Sequence, residues 1–213
     1  MKTMRNLASA LLLCLAAALS MRGAAAQPAV APDVLVKGVT LEVVELIAKD
    51  KEIRAGNRAK LIGLIEEKVL PHFSFTSMTA LAVGQNWRKA SAEQKKRLGE
   101  EFRTLLVRTY ASALAAFSDQ KFDFRPLRAR PTDTDVTVQV RVLQAGAQPV
   151  PIDYSMEKTA AGWKVYDVMV GGVSLVANYR TEFAKVVRSS GIDGLIKDLA
   201  AKNRSLESGA AKS

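Results

Sequence analysis

The segment covering residues 162–183 changes its hydrophobic period midway, and this change constrains the fold more than any other part of the chain. Up to Met169 the apolar residues alternate with other side chains, which predicts a β-strand. Beyond Gly171 and Gly172 the apolar residues have the spacing of a helix. Paired glycines allow a sharp turn, so the predicted helix lies back across its own sheet. We hypothesise that the rest of the chain builds a hollow around this junction.

The N-terminus has the features of a secretory signal peptide over residues 1–26. Two basic residues precede an apolar run at residues 7–19, and an A-x-A site ends at Ala26. This run is shorter than the roughly twenty residues that a membrane span needs. Cys14, the only cysteine, is interpreted as an ordinary member of the run. The sequence therefore predicts cleavage after Ala26 and an exported, soluble protein whose residues 27–32 form a flexible leader.

The chain is basic, with 31 Lys+Arg, 21 Asp+Glu and a formal net charge of +10. Loss of the signal peptide would remove the only cysteine, which excludes a disulfide scaffold and leaves packing to hold the fold. In the cytosol such a charge would indicate nucleic acid as a partner. In an exported protein it indicates anionic lipid headgroups or acidic proteins, although a need for surface solubility explains it equally well.

Four helical segments precede the predicted sheet. The longest begins at a capping box formed by Ser91 and Gln94 and extends to about Ser118. Apolar residues spaced three or four apart predict three others, at residues 33–49, between residues 57 and 71, and at residues 74–83. These stripes are of the kind that normally faces a core.

Apolar alternation then predicts four strands that form an antiparallel meander with one dry face. They cover residues 122–130, 135–143, 150–156 and 163–169. A helix over residues 192–202 follows the junction, and residues 204–213 form a disordered polar tail. Because helices and strands are segregated along the chain, the predicted class is α+β, with a single domain over residues 33–203.

Residues suited to catalysis are few. His72 is the only histidine, and Ser174, which is placed to cap the helix predicted after it, lacks the glycine of a nucleophile elbow two residues later. Asp167 is a candidate base if it is buried with a raised pKa, but it also suits a hydrogen bond at the sheet end or a pair with Arg180. The sequence therefore predicts no catalytic residue, no metal site and no cofactor.

Several motifs, in order along the chain, resemble signatures of the MlaC / toluene-tolerance family. The matching motifs are VLPHF (69–73), GQNWR (84–88), SAEQK (91–95), WKVYDV (163–168), GVSLV (172–176), NYR (178–180) with Phe183, and GIDGLI (191–196). The resemblance covers about residues 34–202, and an ordered set of this kind is specific.

The resemblance implies a periplasmic phospholipid carrier that is not an enzyme and has no cofactor, with the phospholipid as its cargo. Its implied partners are an outer-membrane lipoprotein–porin complex and the MCE-domain protein of an inner-membrane ABC transporter, and its implied role is to maintain outer-membrane lipid asymmetry. The implied fold is a curved four-stranded antiparallel sheet wrapped by about six helices, similar to the NTF2-like or cystatin-like class, with an apolar internal pocket.

The predicted pocket combines the dry face of the sheet, one face of the long helix and the junction after the last strand. Its residues are Phe102, Leu106, Tyr110, Val138, Val140, Ile152, Tyr154, Met156, Val165, Val173, Val176 and Tyr179, the last group of three lying at the mouth. Arg180 is the candidate for the headgroup. Two other functions fit the same residues: an exported enzyme on an apolar substrate, with Asp167 or Tyr110 as the acid–base group, and a ligand-free periplasmic adaptor or chaperone with a solid core.

Overall fold

The computed structural model describes residues 30–116, 120–144 and 146–210. The predicted signal peptide and the predicted end of the long helix at Ser118 lie outside these residues. In the described part, the α-helices are α1 (Pro32–Lys49), α2 (Lys51–Arg54), α3 (Arg58–Lys68), α4 (Phe75–Val83), α5 (Ala92–Ala116) and α6 (Arg180–Ala210). The strands are β1 (Lys121–Phe124), β2 (Asp135–Leu143), β3 (Val150–Thr159), β4 (Gly162–Val170) and β5 (Val173–Ser174). Short 3₁₀ turns occupy Leu70–His72, Gly84–Lys89 and Ala177–Tyr179.

The strands form one antiparallel sheet in the order β1-β2-β3-β4-β5, so the described residues hold five strands and not the predicted four. The additional strand arises at the glycine pair. Gly171 and Gly172 both have positive φ angles, 59° and 84°, as the central residues of a tight hairpin turn require. The chain therefore returns along β4, pairing Val173 with Val170, before any helix begins. The helix predicted to start at Val173 begins only at Arg180.

The sheet has one buried face, as the alternation predicts. In β2 every second residue is buried, and an irregularity in the β3–β4 register at Ser155 and Met156 adds to the bending of the sheet. The first strand is shorter than predicted and ends at Phe124. Pro126 follows shortly and has no amide hydrogen to donate to a ladder, which explains the early end.

The capping box of α5 is confirmed: Gln94 donates its backbone amide to Ser91 Oγ at 3.1 Å, and Ser91 donates its amide to Gln94 Oε1 at 3.0 Å. Helix α6 bends at Gly191, where φ is 70°, and continues to Ala210, although the sequence predicts a disordered tail from residue 204. Its far end is fixed by Asn203, a buried residue whose side-chain amide donates to the backbone oxygen of Glu101 at 2.9 Å and to its Oε2 at 2.7 Å.

Three buried clusters make up the core of the described part of the chain. One joins α4, α5 and α6, a second joins α1, α2, α3 and α5, and the third covers the dry face of the sheet together with Val36 of α1. Helix α5 contributes to two of the clusters from different sides, with Phe102 in the first and Val107 in the second. The space enclosed by the sheet, α1 and α5 is left between the clusters.

Candidate functional site

A cavity of about 440 Å³ lies between the dry face of the sheet and helices α1, α4 and α5. Strands β3 and β4 form its floor, while α1 and α5 form its walls. Among the described residues, the lining is apolar except for four side chains that carry a polar group, Thr40, His72, Tyr110 and Tyr154. Of the described residues that line it, none is an aspartate, glutamate, lysine or arginine. The cavity is therefore suited to an uncharged, apolar occupant.

The walls follow from helical periodicity. On α1 the lining residues form three adjacent pairs that repeat every four positions, so one face of the helix points into the cavity along its length. They are Leu35, Val36, Val39, Thr40, Val43 and Val44. Helix α5 presents a similar face in its second half, where Leu106 and Tyr110 are one turn apart.

The loop before α4 closes one end of the cavity because it is attached to the sheet. Ser74 donates its backbone amide to the carbonyl oxygen of Val165 at 2.8 Å, and Phe73 forms a parallel bridge with the same residue. Phe73 and Phe75 stack with ring centroids 6.2 Å apart, and both line the cavity. This attachment holds the two aromatic side chains beside β4 near Val165.

Two of the polar lining groups, Tyr154 and His72, are held neutral by their surroundings. Burial raises the pKa of Tyr154 to about 12, an effect that its hydrogen bond with Thr40 partly offsets. Burial, and the positive charge of Lys164, lower the pKa of His72. Both shifts favour the neutral side chain near neutral pH. The cavity wall consequently carries dipoles but no full charge.

Six of the predicted pocket residues line this cavity: Leu106, Tyr110, Ile152, Tyr154, Met156 and Val165. Val138 and Val140 are buried beside them in the cluster on the sheet but do not reach the cavity. Phe102, Val176 and Tyr179 belong instead to the cluster between α4, α5 and α6. There Phe102 meets the rings of Tyr179 and Phe183 edge-on at 5.2 and 5.3 Å.

The structure separates the predicted mouth from the cavity. Val173 lies on β5 with half of its surface exposed, and Leu175 is the junction residue that lines the cavity. Arg180 is directed to α4, where its Nε and Nη2 atoms donate to the carbonyl oxygen of Leu81 at 3.1 and 3.0 Å. Tyr179 still neighbours one cavity residue, Tyr110. Burial and this neighbour raise the pKa of Tyr179 to about 12.

The largest group of cavity residues that the sequence did not predict lies on α1. The stripe through Val36, Val39 and Val43 was visible in the sequence, but a stripe facing a cavity has the same spacing as one facing a solid core. Phe73 and Met78 carry no periodic signal that separates a cavity wall from packing.

Asp167 and Ser174 stabilise the turn after β4. Asp167, a buried carboxylate, accepts hydrogen bonds from Ser174 Oγ at 2.6 Å and from the Val168 amide at 2.8 Å. Ser174 Oγ in turn accepts from the Ala177 amide at 2.8 Å, the first amide of the 3₁₀ turn before α6, although the N-cap position of that turn is Val176. His72 lines the cavity instead of completing a triad with them.

Two features are absent from the residues that the structure describes. These residues contain no group of three or more His, Cys, Asp or Glu side chains arranged to hold a metal ion. Within the same ranges, no helix combines the length and the hydropathy that crossing a bilayer requires.

Fold and cavity together define a class: α+β proteins in which helices cover a curved antiparallel sheet and leave an apolar cavity between the two layers. This chain belongs to the MlaC family, since the family model described as "MlaC protein" matches residues 37–201. The family that the motifs resemble is thereby confirmed.

Two curated relatives carry descriptive names. The "Intermembrane phospholipid transport system binding protein MlaC" of Haemophilus influenzae is 26% identical over 136 residues, which are 62% of this chain and 64% of that protein. The "Toluene tolerance protein ttg2D" of Pseudomonas putida is 26% identical over 183 residues, 85% of this chain and 83% of the relative.

A solved structure is similar over most of the fold. The phospholipid-binding protein from Ralstonia solanacearum, determined in complex with a phospholipid, superposes with a TM-score of 0.76 at 37% sequence identity. The match covers 82% of this chain and 98% of the Ralstonia chain.

Proposed function

We propose that this protein is a periplasmic phospholipid carrier that shelters acyl chain in the cavity between sheet and helices. The observation that carries the proposal is the cavity itself, which is lined by apolar side chains and by polar groups without charge. Support comes from the Ralstonia relative, whose structure contains a phospholipid and has the same fold. In this proposal six of the twelve predicted pocket residues line the cavity and five pack around it, whereas Val173, half-exposed on β5, has no part in holding lipid.

The volume of the cavity suggests how much lipid it holds. At roughly 30 Å³ for each heavy atom with its hydrogens, the share of one molecule in liquid water, the 440 Å³ cavity takes about fifteen carbon atoms. That is one acyl chain. A diacyl phospholipid has about twice as many chain carbons, so we expect the space between α1 and the sheet to widen when both chains enter.

The energetic demand on such a carrier is large. Sheltering about fifteen methylene groups from water is worth on the order of 12 kcal/mol at about 0.8 kcal/mol for each group. Few hydrogen-bonding groups are needed for this, because the transfer is driven by apolar area alone. Four neutral polar side chains in an otherwise hydrocarbon-like lining fit that requirement.

The route that we propose runs between the two membranes of a Gram-negative envelope. Residues 1–26 would direct export and residues 33–203 would form the lipid-binding domain. The partners would be an outer-membrane lipoprotein–porin complex and the MCE-domain protein of an inner-membrane ABC transporter, and the outcome would be lipid asymmetry of the outer membrane. The name of the Haemophilus relative, which refers to intermembrane transport, supports this assignment.

We propose binding and not catalysis as the role of the site. The candidate base Asp167 and the hydroxyl of Ser174 are both engaged in the turn after β4. Tyr110 faces the cavity without a charged partner in its lining.

Native mass spectrometry of the protein purified from the periplasm tests the proposal. We expect a bound mass that organic extraction identifies as phospholipid. A matched pair of substitutions tests where the lipid is bound. Ala113→Phe adds an aromatic ring to the cavity lining and should lower the amount of bound lipid. Ala184→Phe adds the same ring to a separate groove and should leave that amount unchanged. Folded protein without lipid, or equal loss in both variants, would contradict the proposal.

A further inference from the structure

A second concave surface, which we call the basic groove, lies apart from the cavity. It has a volume of about 940 Å³ and runs between the 3₁₀ turn Gly84–Lys89 and the part of α6 that ends at the bend. It shares no lining residue with the cavity. At Gly191 a Cβ would meet nothing within 4 Å, which shows that the bend leaves the groove open there.

The groove has an apolar base and a cationic rim. Val83, Val187 and Ile192 supply apolar surface, while Lys89, Arg180 and Arg188 supply three positive charges. Arg180 and Arg188 are two turns apart on the same face of α6. Among the described lining residues there is no carboxylate.

These three cations are not neutralised within the described part of the chain. None of them forms an ion pair there with a carboxylate, and Arg180 is fixed only by its hydrogen bonds to the Leu81 carbonyl oxygen. Two acidic residues near them in sequence are engaged elsewhere: Glu182 pairs with Lys202, and Asp193 accepts a hydrogen bond from Gln94 at 3.1 Å. Glu93, four residues after Lys89, is exposed and lies outside the groove lining. The lining of the groove therefore has a net positive charge.

We infer that the basic groove docks a protruding protein segment that is acidic and carries apolar side chains, supplied by a partner protein. Opposite charge would steer the segment and the apolar base would hold it. Concavity disfavours a flat bilayer as the occupant, because a planar surface meets only the rim. The chain's own first 29 residues fit poorly, since they contain Lys2, Arg5 and Arg22 and no acidic residue. The inference does not require the cavity to hold lipid.

Photocross-linking of the full chain in its own cells tests the docking. A benzophenone amino acid in place of Gln85, an exposed residue of the groove, should capture a protein, and the cross-linked segment should contain more acidic than basic residues together with apolar ones. The same amino acid in place of Gln139, which is exposed on the outer face of the sheet, is the control position and should not capture that segment.

Charge-reversal variants of the groove provide a second test of the docking. Lys89→Glu combined with Arg188→Glu should reduce capture by roughly tenfold or more, because the rim then repels the segment. The matched pair Lys158→Glu with Arg141→Glu, at exposed positions outside the groove, should change it little. Both double variants should keep normal amounts of bound phospholipid. A loss of capture with normal lipid binding is then distinguishable from a failure of the carrier proposal.

Four outcomes would overturn the inference: no cross-link from position 85, a segment without an acidic excess, capture of lipid or of a second copy of this chain alone, or equal loss of capture in the two charge-reversal pairs.

Discussion

A single carboxylate placed in the cavity tests the carrier proposal most sharply. Val39 lies on the cavity side of α1, whereas Val34, on the same helix, has 57% of its surface exposed and does not line the cavity. Val39→Glu and Val34→Glu are therefore the same chemical change in the same helix, one facing the proposed lipid and one facing water.

The magnitude follows from the cost of neutralising the new side chain. With acyl chain beside it, Glu at position 39 must bind lipid in its protonated form, since an ionised carboxylate in apolar surroundings is far more costly. Starting from an ordinary pKa of about 4.3, protonation at pH 7 costs about 4 kcal/mol, at about 1.4 kcal/mol for each pH unit. The lipid affinity of Val39→Glu should therefore fall by a factor of several hundred. At pH 5 the same cost is about 1 kcal/mol, so most of the affinity should return.

The assay measures retention of a fluorescent phospholipid by delipidated protein at both pH values. The sign is set by linkage: lipid raises the pKa of the new carboxyl, so protons and lipid bind together and lower pH strengthens binding. Val34→Glu should bind like the original protein at pH 7 and show no such recovery. Thermal unfolding at each pH checks that both variants are folded. A folded Val39→Glu that retains lipid fully at pH 7 would refute the placement of lipid in this cavity.

Three further substitutions test particular contacts. Val173→Glu should leave the amount of bound phospholipid unchanged in the extraction assay, because Val173 is half-exposed on β5 and does not line the cavity. Loss of lipid would instead support the prediction from the sequence that Val173 lies at the mouth of the pocket. Asn203→Ala should lower the free energy of unfolding in urea by about 1–3 kcal/mol, since it leaves the carbonyl of Glu101 without its buried amide donor; an unchanged midpoint would contradict this. Ser174→Ala should cost a similar amount, about 1–3 kcal/mol, because Asp167 loses a buried hydroxyl donor at 2.6 Å; Ser174→Thr, which keeps the hydroxyl, should recover part of it in the same titration.

The sequence predicts the elements of this fold well wherever a local period determines them. The capping box at Ser91 begins the long helix as predicted, and the alternation in β2 corresponds residue by residue to its burial. The prediction is wrong at the junction after β4, where a helix and a β-hairpin are alternative structures for the same residues. The spacing of Val173 and Val176 suits a helix, but the positive φ angles of the glycine pair allow a hairpin turn first, and strand pairing with β4 then takes precedence.

The cavity was harder to predict than the fold because packing, and not periodicity, decides which side chains face a void. Val140 and Ile152 are cross-strand partners on the same dry face, yet only Ile152 borders the cavity. The distinction depends on where α1 sits above the sheet, and no residue of α1 specifies its distance from the strands. The prediction of a disordered tail at the end of α6 was wrong because the polar residues there gave no sign of a buried contact. Asn203 is buried and its side chain donates hydrogen bonds to Glu101 of α5.

The energetics of the cavity also bear on how a carrier of this kind would release its cargo. Moving acyl chain from a bilayer into an apolar cavity exchanges one hydrocarbon environment for another, so the roughly 12 kcal/mol gained relative to water is nearly absent relative to membrane. The net free energy of transfer then depends on smaller contributions, such as the four neutral polar side chains in the wall and the packing lost if the cavity widens. Contacts with a docked partner fall in the same range, because a few rim charges are worth one to a few kcal/mol. A partner that docks on a surface separate from the cavity, such as the basic groove, can therefore bias the direction of transfer without touching the lipid when it binds the loaded and the empty forms with different affinity.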